Sequence, residues 1–240
     1  MPLGDSITQW ICGPLKQPGS PDAAGYGGYR QPLGRALYER GLAFDFVGFQ
    51  YDCGSHAGIS GHTCEDIANE IVQNAGAHQP DLVLLMCGTN DLYFRNSTLD
   101  PWRGGNVSQV VDRLERALKG LWASAPQAAV LLSTVTHINA TRCADYPPGP
   151  CPPDMQANIE AFNAILPGLV DQLSAAGRNI SLHDVNADAQ WSEEDWFVHG
   201  IHFSIAGFTK MAKSWEAAIA GHVASFLELP AVAAAAAAFA

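Results

Sequence analysis

The chain has 240 residues, 48% of them hydrophobic and 15% charged, which is enough apolar material for one large α/β domain and too much for a disordered segment. Its 13 basic and 24 acidic side chains leave a formal charge of -11, a field that repels nucleic acid and anionic membrane surfaces. A neutral polymer such as a polysaccharide is compatible with that charge without being implied by it.

Five apolar runs alternate with five helical patterns. The first run ends at Leu3 and breaks at once into Gly4-Asp5-Ser6, so a serine is expected on a turn where a strand stops. Because the chain begins inside this run, any signal peptide is expected either to be already removed or to lie outside it. The second predicted strand is "FDFVGF" at 44 to 49, and "TCED" from Thr63 fits a capping box ahead of Ile67 and Ile71. "LVLLMC" at 82 to 87 and "AAVLLSTV" at 128 to 135 are continuous rather than alternating, as strands covered on both faces are. Between them Val107, Val111, Leu114, Leu118 and Leu121 keep helical spacing, and so later do Ile159, Phe162, Ile165, Leu169 and Leu173 despite Pro167. The fifth strand, "ISLHDV" at 180 to 185, precedes a last helix from near Ser204 that carries Phe208, Met211, Trp215 and Ile219 inward. No run approaches the ~20 apolar residues that a membrane helix needs. A single domain over 1 to 229 is expected, followed by a low-complexity alanine-rich tail at 230 to 240.

Strict alternation of strand and helix predicts right-handed crossovers and a three-layer α/β/α sandwich around a five-stranded parallel sheet. The common strand order for such a sheet is 2-1-3-4-5, with the site at the carboxyl ends of strands 1 and 3. Ser6 then follows strand 1, Asn90 in "CGTND" follows strand 3, and "HGIHFS" follows strand 5, so that three distant stretches meet at one sheet edge.

Asn-X-Ser/Thr occurs at Asn96, Asn106, Asn139 and Asn179, where chance alone gives about one. With six cysteines as well, a secreted, glycosylated protein is expected. Cys143 and Cys151 bracket the short loop "ADYPPGP" and suit a local disulfide. Cys87, inside an apolar run, is expected to be a buried thiol, and pairing among Cys12, Cys53 and Cys64 is left open.

"GDSIT" at 4 to 8, the glycine of "ISGHT" at Gly61, "GTND" at 88 to 91 and "GIHFSIAG" from Gly200 resemble, in order and spacing, the four sequence blocks of the GDSL or SGNH hydrolases. More closely, "MPLGDSIT", "DFVG", "LMCGTND", the helix containing Asn163 and "GFTKMAKSW" resemble the third carbohydrate esterase family, typified by secreted acetyl xylan esterases. The resemblance runs from Met1 to about Leu227. It implies a flavodoxin-like fold and a serine esterase that deacetylates acetylated polysaccharide or oligosaccharide with no cofactor and no metal. By the same resemblance Ser6 is the nucleophile and His202 the base, and the backbone N–H groups of Ser6 and Gly61 with the Asn90 amide form the oxyanion hole. Asp5 and Asp91 read as hydrogen-bonding scaffold.

One position departs from the pattern. The family has Asp three residues before its histidine, and here that place is His199, which can accept a hydrogen bond but supplies no negative charge. Three accounts follow: Asp195 reaches in from an adjacent turn, a dyad works with His202 held by His199 or a backbone carbonyl, or activity is reduced. The last leaves a weakened carbohydrate-binding relative as an alternative, beside a general carboxylesterase or lipase. His199, His202 and Asp195 could suggest a metal site, but no Cys cluster or His-Glu-x-x-His pattern accompanies them. Trp10, Trp102, Trp191 and Trp196 are candidates for stacking on sugar rings, and oligomeric state is not legible.

Overall fold

The computed structural model describes residues 1–10, 27–51, 53–96, 103–143, 151–197 and 199–227. Strand β1 (Pro2–Gly4) leads into the short helix α1 (Ser6–Gln9), and α2 (Arg30–Glu39) and β2 (Ala57–Gly58) follow. Helix α3 (Cys64–Asp66) runs through a π turn at Ile67–Ile71 into α4 (Val72–His78), and β3 (Leu82–Met86) leads into α5 (Thr89–Tyr93). Next come α6 (Val107–Ser124), β4 (Ala129–Ser133), α7 (Ala140–Cys143), α8 (Met155–Ala175), β5 (Ile180–His183), α9 (Val185–Ala189) and α10 (Ile205–Leu227). The sheet order is β2-β1-β3-β4-β5 with every pair parallel, as the alternating pattern predicts.

Successive side chains of a strand point to opposite faces, and the continuous apolar runs satisfy both. Val83, Leu85, Val130 and Leu132 pack with Leu114, Leu118, Ile159 and Phe162 on one side. Leu84, Met86 and Leu131 pack with Leu33, Leu37, Phe208, Met211 and Trp215 on the other. The result is a three-layer sandwich whose loops at the carboxyl ends of the strands share one edge. Helix starts follow their sequence signals. Thr63 and Asp66 form a reciprocal capping box on α3, and Asn106 with Gln109 does the same on α6.

The second strand is a correction. Among the described residues, 44 to 49 pair with no strand, and Ala57–Gly58 instead forms the edge, with Leu3 opposite Ala57 and Gly4 opposite Gly58. The chain turns back after the apolar run through an antiparallel bridge between Gln50 and His56. Gly48, at φ 152°, sits directly against the His56 backbone, where a side chain has no room. The apolarity of the run goes into packing: the Phe46 ring covers Gly34 of α2 and meets the Phe44 ring edge-on at 5.1 Å. The fifth strand stops at His183, short of 185, because the Asp184 side chain accepts from the N–H groups of Asn186 and Ala187 and so starts α9.

Cys87 is also a correction. It is joined to Cys64 by a disulfide across 5.5 Å between Cα atoms, so it is no thiol. Cys143 and Cys151 are paired as well, at 5.4 Å, and Cys53 is disulfide-bonded. Cys12, Trp102 and the expected tail at 230 to 240 lie outside the described residues. Among the described residues no helix is long and apolar enough to cross a membrane.

Candidate active site

Asp5 ends β1 and starts α1 by accepting a hydrogen bond from the Ile7 N–H at 2.9 Å. This cap turns the chain sharply enough to leave Ser6 at the strand's carboxyl end, only partly covered. Asp5 itself is fully buried, and burial raises its carboxyl from 3.8 to about 6. The Ser6 hydroxyl lies 2.7 Å from His202 Nε2, across 196 residues of sequence.

The His202 loop is fixed from three sides. The Phe197 N–H donates to the His202 carbonyl at 2.9 Å, Ser204 N–H to the Asp195 carbonyl at 2.8 Å, and Asn139 N–H to the Gly200 carbonyl at 2.8 Å. Trp196 and Phe203 form an antiparallel bridge across the loop. Burial lowers the His202 imidazole from 6.5 to about 3, with His199 adding to the shift, so the ring is neutral at pH 7. Its Nδ1 lies 3.3 Å from His199 Nε2. Burial lowers the His199 ring too. A neutral His202 that donates from Nδ1 leaves Nε2 as acceptor for the Ser6 hydroxyl, the tautomer a base requires.

Asp195 is occupied elsewhere. Its Oδ2 accepts from Lys210 Nζ at 2.6 Å and from the Ser192 N–H and hydroxyl at 2.7 Å. Burial opposes its charge, yet these donors hold the carboxyl below its ordinary value. Asp195 thus ties the loop before His202 to α10, and the group facing His202 Nδ1 is His199.

Asn90, the second residue of α5, donates one amide N–H to the His62 carbonyl at 2.9 Å. Asp91 beside it is buried, accepting from the Cys64 N–H at 2.8 Å and from Arg113 at 2.9 Å. Gly61 sits at φ 78°, a conformation that favours glycine, and its carbonyl accepts from Arg103. The Cys64–Cys87 disulfide joins the Gly61 segment to the Asn90 segment directly. A cavity of about 130 Å³ opens beside Ser6 and His202, lined also by Gly61, Asn90, Tyr93, Phe94 and Ile201. Tyr93 and Phe94 stand three and four residues after Asn90, the helical spacing that returns a side chain to the same face. That spacing was the available sign of the cavity wall.

A second serine–histidine contact shows what the first has in addition. Ser214 Oγ lies 3.1 Å from His183 Nε2, and Asp188 lies 3.4 Å from His183 Nδ1. Ser214 is buried inside α10, where backbone N–H groups serve the helix and none is left for an oxyanion. Of the four candidate stacking tryptophans, Trp191 and Trp196 pack against Phe203, whereas the Trp10 ring lies 4.9 Å from the His202 ring.

The GDSL-like Lipase/Acylhydrolase family matches this sequence over residues 3–210, the span from β1 into α10. The chain belongs to that family. The chain is 25% identical over 252 residues to the multidomain esterase of Ruminococcus flavefaciens, covering 93% of the chain and 28% of that protein. It is 27% identical over 156 residues to the putative endoglucanase X of Acetivibrio thermocellus, covering 62% of the chain and 54% of that protein. The chain therefore spans little more than a quarter of the first curated relative and about half of the second. A solved family 3 carbohydrate esterase from Clostridium thermocellum is 28% identical, with a TM-score of 0.62 over 93% of this chain and 96% of its own. Another from Talaromyces cellulolyticus, 22% identical with a TM-score of 0.70 over 94% and 97%, shares the fold.

Proposed function

We propose that this member of the family is a secreted serine esterase that removes acetyl groups from a carbohydrate such as acetylated xylan. The observation that carries the reading is the 2.7 Å Ser6–His202 contact at the mouth of a cavity of about 130 Å³. Ser6 Oγ attacks the ester carbonyl carbon while its proton passes to His202 Nε2. The oxyanion that forms is held by the Ser6 and Gly61 N–H groups and by the second N–H of the Asn90 amide, each worth on the order of 3 kcal/mol. Collapse breaks the bond to the sugar oxygen, which takes the proton from His202. Water then gives a proton to His202, attacks the acyl carbon, and releases acetate with Ser6 restored.

Among the described residues no carboxylate meets His202 Nδ1; the neutral His199 ring orients the base without stabilising its charged form, and the catalyst is a dyad with a positioning histidine. The cavity volume favours a short acyl group over the longer chains of a lipase. The carbohydrate assignment is supported by the similarity to family 3 carbohydrate esterases and to a putative endoglucanase. Secretion is supported by the disulfides and by exposed acceptor sites at Asn106 and Asn179. Acetate release from acetylated xylan and 4-nitrophenyl acetate, compared between the wild type and Ser6→Ala, tests the reading. Loss of release in the variant is expected, and equal rates would remove Ser6 from the chemistry.

A further inference from the structure

The structure offers a location for the alcohol half of the ester. Trp10 follows α1, and its N–H donates to the Ser6 carbonyl at 2.9 Å, so its position is set by the same helical turn that presents the nucleophile. Arg30 holds the neighbouring backbone by donating to the Thr8 carbonyl at 2.9 Å and to the Gln9 carbonyl at 2.6 Å. The Trp10 ring lies 4.9 Å from His202, 5.2 Å from Phe208 and 6.0 Å from Phe197, and Phe197 lies 5.0 Å from His199. Phe208 is buried, but Trp10, Phe197 and His199 are each only half-buried. None of the three lines the small cavity beside Ser6. Two half-buried aromatic side chains therefore flank the base outside the acyl pocket.

From this we infer that Trp10 and Phe197 form a leaving-group subsite that binds the neutral pyranose ring of the esterified sugar. The inference rests on the proposed esterase reading and extends it. A carbonyl carbon under attack carries its acyl substituent and its leaving oxygen on different sides. With the acyl group in the cavity, the leaving oxygen must lie within reach of His202 Nε2, the group that protonates it. The ring attached to that oxygen then extends past His202 toward Trp10 and Phe197. An aromatic face packs well against the C–H face of a pyranose, and neither side chain carries charge, so the subsite selects neutral rings over anionic or extended aliphatic alcohols. Trp10 is thus a specificity-determining residue, and its contact with His202 puts the bound ring beside the proton it will receive.

The test compares an acetylated methyl xylopyranoside with ethyl acetate, which has the same acyl group and no ring. Trp10→Leu and Phe197→Leu are each expected to lower kcat/KM for the xyloside by about tenfold, mainly through KM, and to leave ethyl acetate within about twofold. Trp10→Tyr, which keeps an aromatic face, is expected to restore most of the preference for the xyloside. Equal losses on both esters would mean that Trp10 only props His202, and unchanged values on both would mean that the ring lies elsewhere; either overturns the subsite. Folding of each variant is checked by circular dichroism and its urea midpoint, so equal losses in a folded variant are read as lost positioning of His202. Failure of the esterase reading is a separate outcome, read as ethyl acetate hydrolysis by the wild type that Ser6→Ala does not abolish.

Discussion

His202 Nδ1 faces His199 Nε2 at 3.3 Å, so the base of the candidate site is oriented by a second neutral ring. This pairing has a sign that can be measured. Burial and His199 both favour the neutral form of His202 and bring it to about 3 from an ordinary 6.5, which keeps the base unprotonated well into acid but makes it a weak acceptor. His199→Asp places a negative charge beside Nδ1 and stabilises the imidazolium. Expected are a rise in kcat of about tenfold or more and a shift of the acidic limb of the kcat/KM profile toward neutral pH. A pH–rate profile of both proteins on 4-nitrophenyl acetate checks this, and an unmoved acidic limb would mean that His202 is not the titrating base.

The Cys64–Cys87 disulfide ties together the two segments that supply Gly61 and Asn90. It is buried, with Cys64 0% and Cys87 2% exposed, and it closes a sequence separation of 23 residues. Replacing both cysteines by alanine is expected to cost about 3 kcal/mol of stability, from the loop-closure entropy returned to the unfolded chain. It should also lower kcat, since the proposed oxyanion donors lose their covalent tie. Replacing Cys143 and Cys151 provides the comparison, with a separation of 8 and no link between the Gly61 and Asn90 segments. Urea midpoints and kcat for the two double variants separate the effects, and equal kcat would mean that Arg113, Asp91 and Arg103 hold the donors without the disulfide.

Much of this arrangement was legible because it rests on periodicity. The runs at 82 to 87 and 128 to 135 read as buried parallel strands since both of their faces are apolar, and the order of strands followed from alternation. The edge strand was not legible, because a two-residue ladder at Ala57–Gly58 has no pattern of its own and is defined by pairing with β1. The more apolar "FDFVGF" drew the assignment instead, and its rings turned out to cover α2. Cysteine pairing was hidden for a similar reason: Cys64 and Cys87 look unrelated until the fold brings their Cα atoms to 5.5 Å. At the site, residue types were readable and occupancy was not. Asp195 had the chemistry to serve His202, but Lys210, one turn along α10 from the loop, already holds its carboxylate.

Asp5 directly precedes Ser6 and is fully buried, with its carboxyl raised from 3.8 to about 6 by that burial. A raised carboxyl favours folding in its neutral form, so its contribution is complete below pH 4 and is lost as pH rises through about 6. Asn retains the capping acceptor for the Ile7 N–H without the charge. Asp5→Asn is therefore expected to match the wild type near pH 4 and to exceed it at pH 7 by an amount on the order of 3 kcal/mol. Urea denaturation at the two pH values checks this, and equal stability at pH 7 would show that the carboxylate is solvated.

His183 works in the opposite direction. Burial lowers it to about 4 from 6.5, against the pull of Asp188 and Asp184, so its neutral form is favoured in the fold. Stability from this ring is complete above pH 6.5 and is lost as pH falls toward 4. His183→Gln, which can still bond Ser214, is expected to flatten the loss of stability between pH 6.5 and 4 measured by thermal melting. An unchanged slope would assign acid sensitivity to other groups.

The four acceptor asparagines are not equivalent once folded. Asn106 and Asn179 are exposed, and Asn106 caps α6 through its side-chain oxygen, which leaves its amide nitrogen at the surface. Asn139 is 7% exposed, and its amide nitrogen, the atom a glycan would take, donates to Glu193 at 2.7 Å. A glycan there would remove the contact that holds the loop before His202 against α7. Expressed through a eukaryotic secretory pathway, the protein is expected to carry glycans at Asn106 and Asn179 and none at Asn139, as read by peptide mass mapping before and after enzymatic deglycosylation. Bare peptides at both exposed positions would count against secretion, because the acceptors would have passed through the pathway accessible and unused.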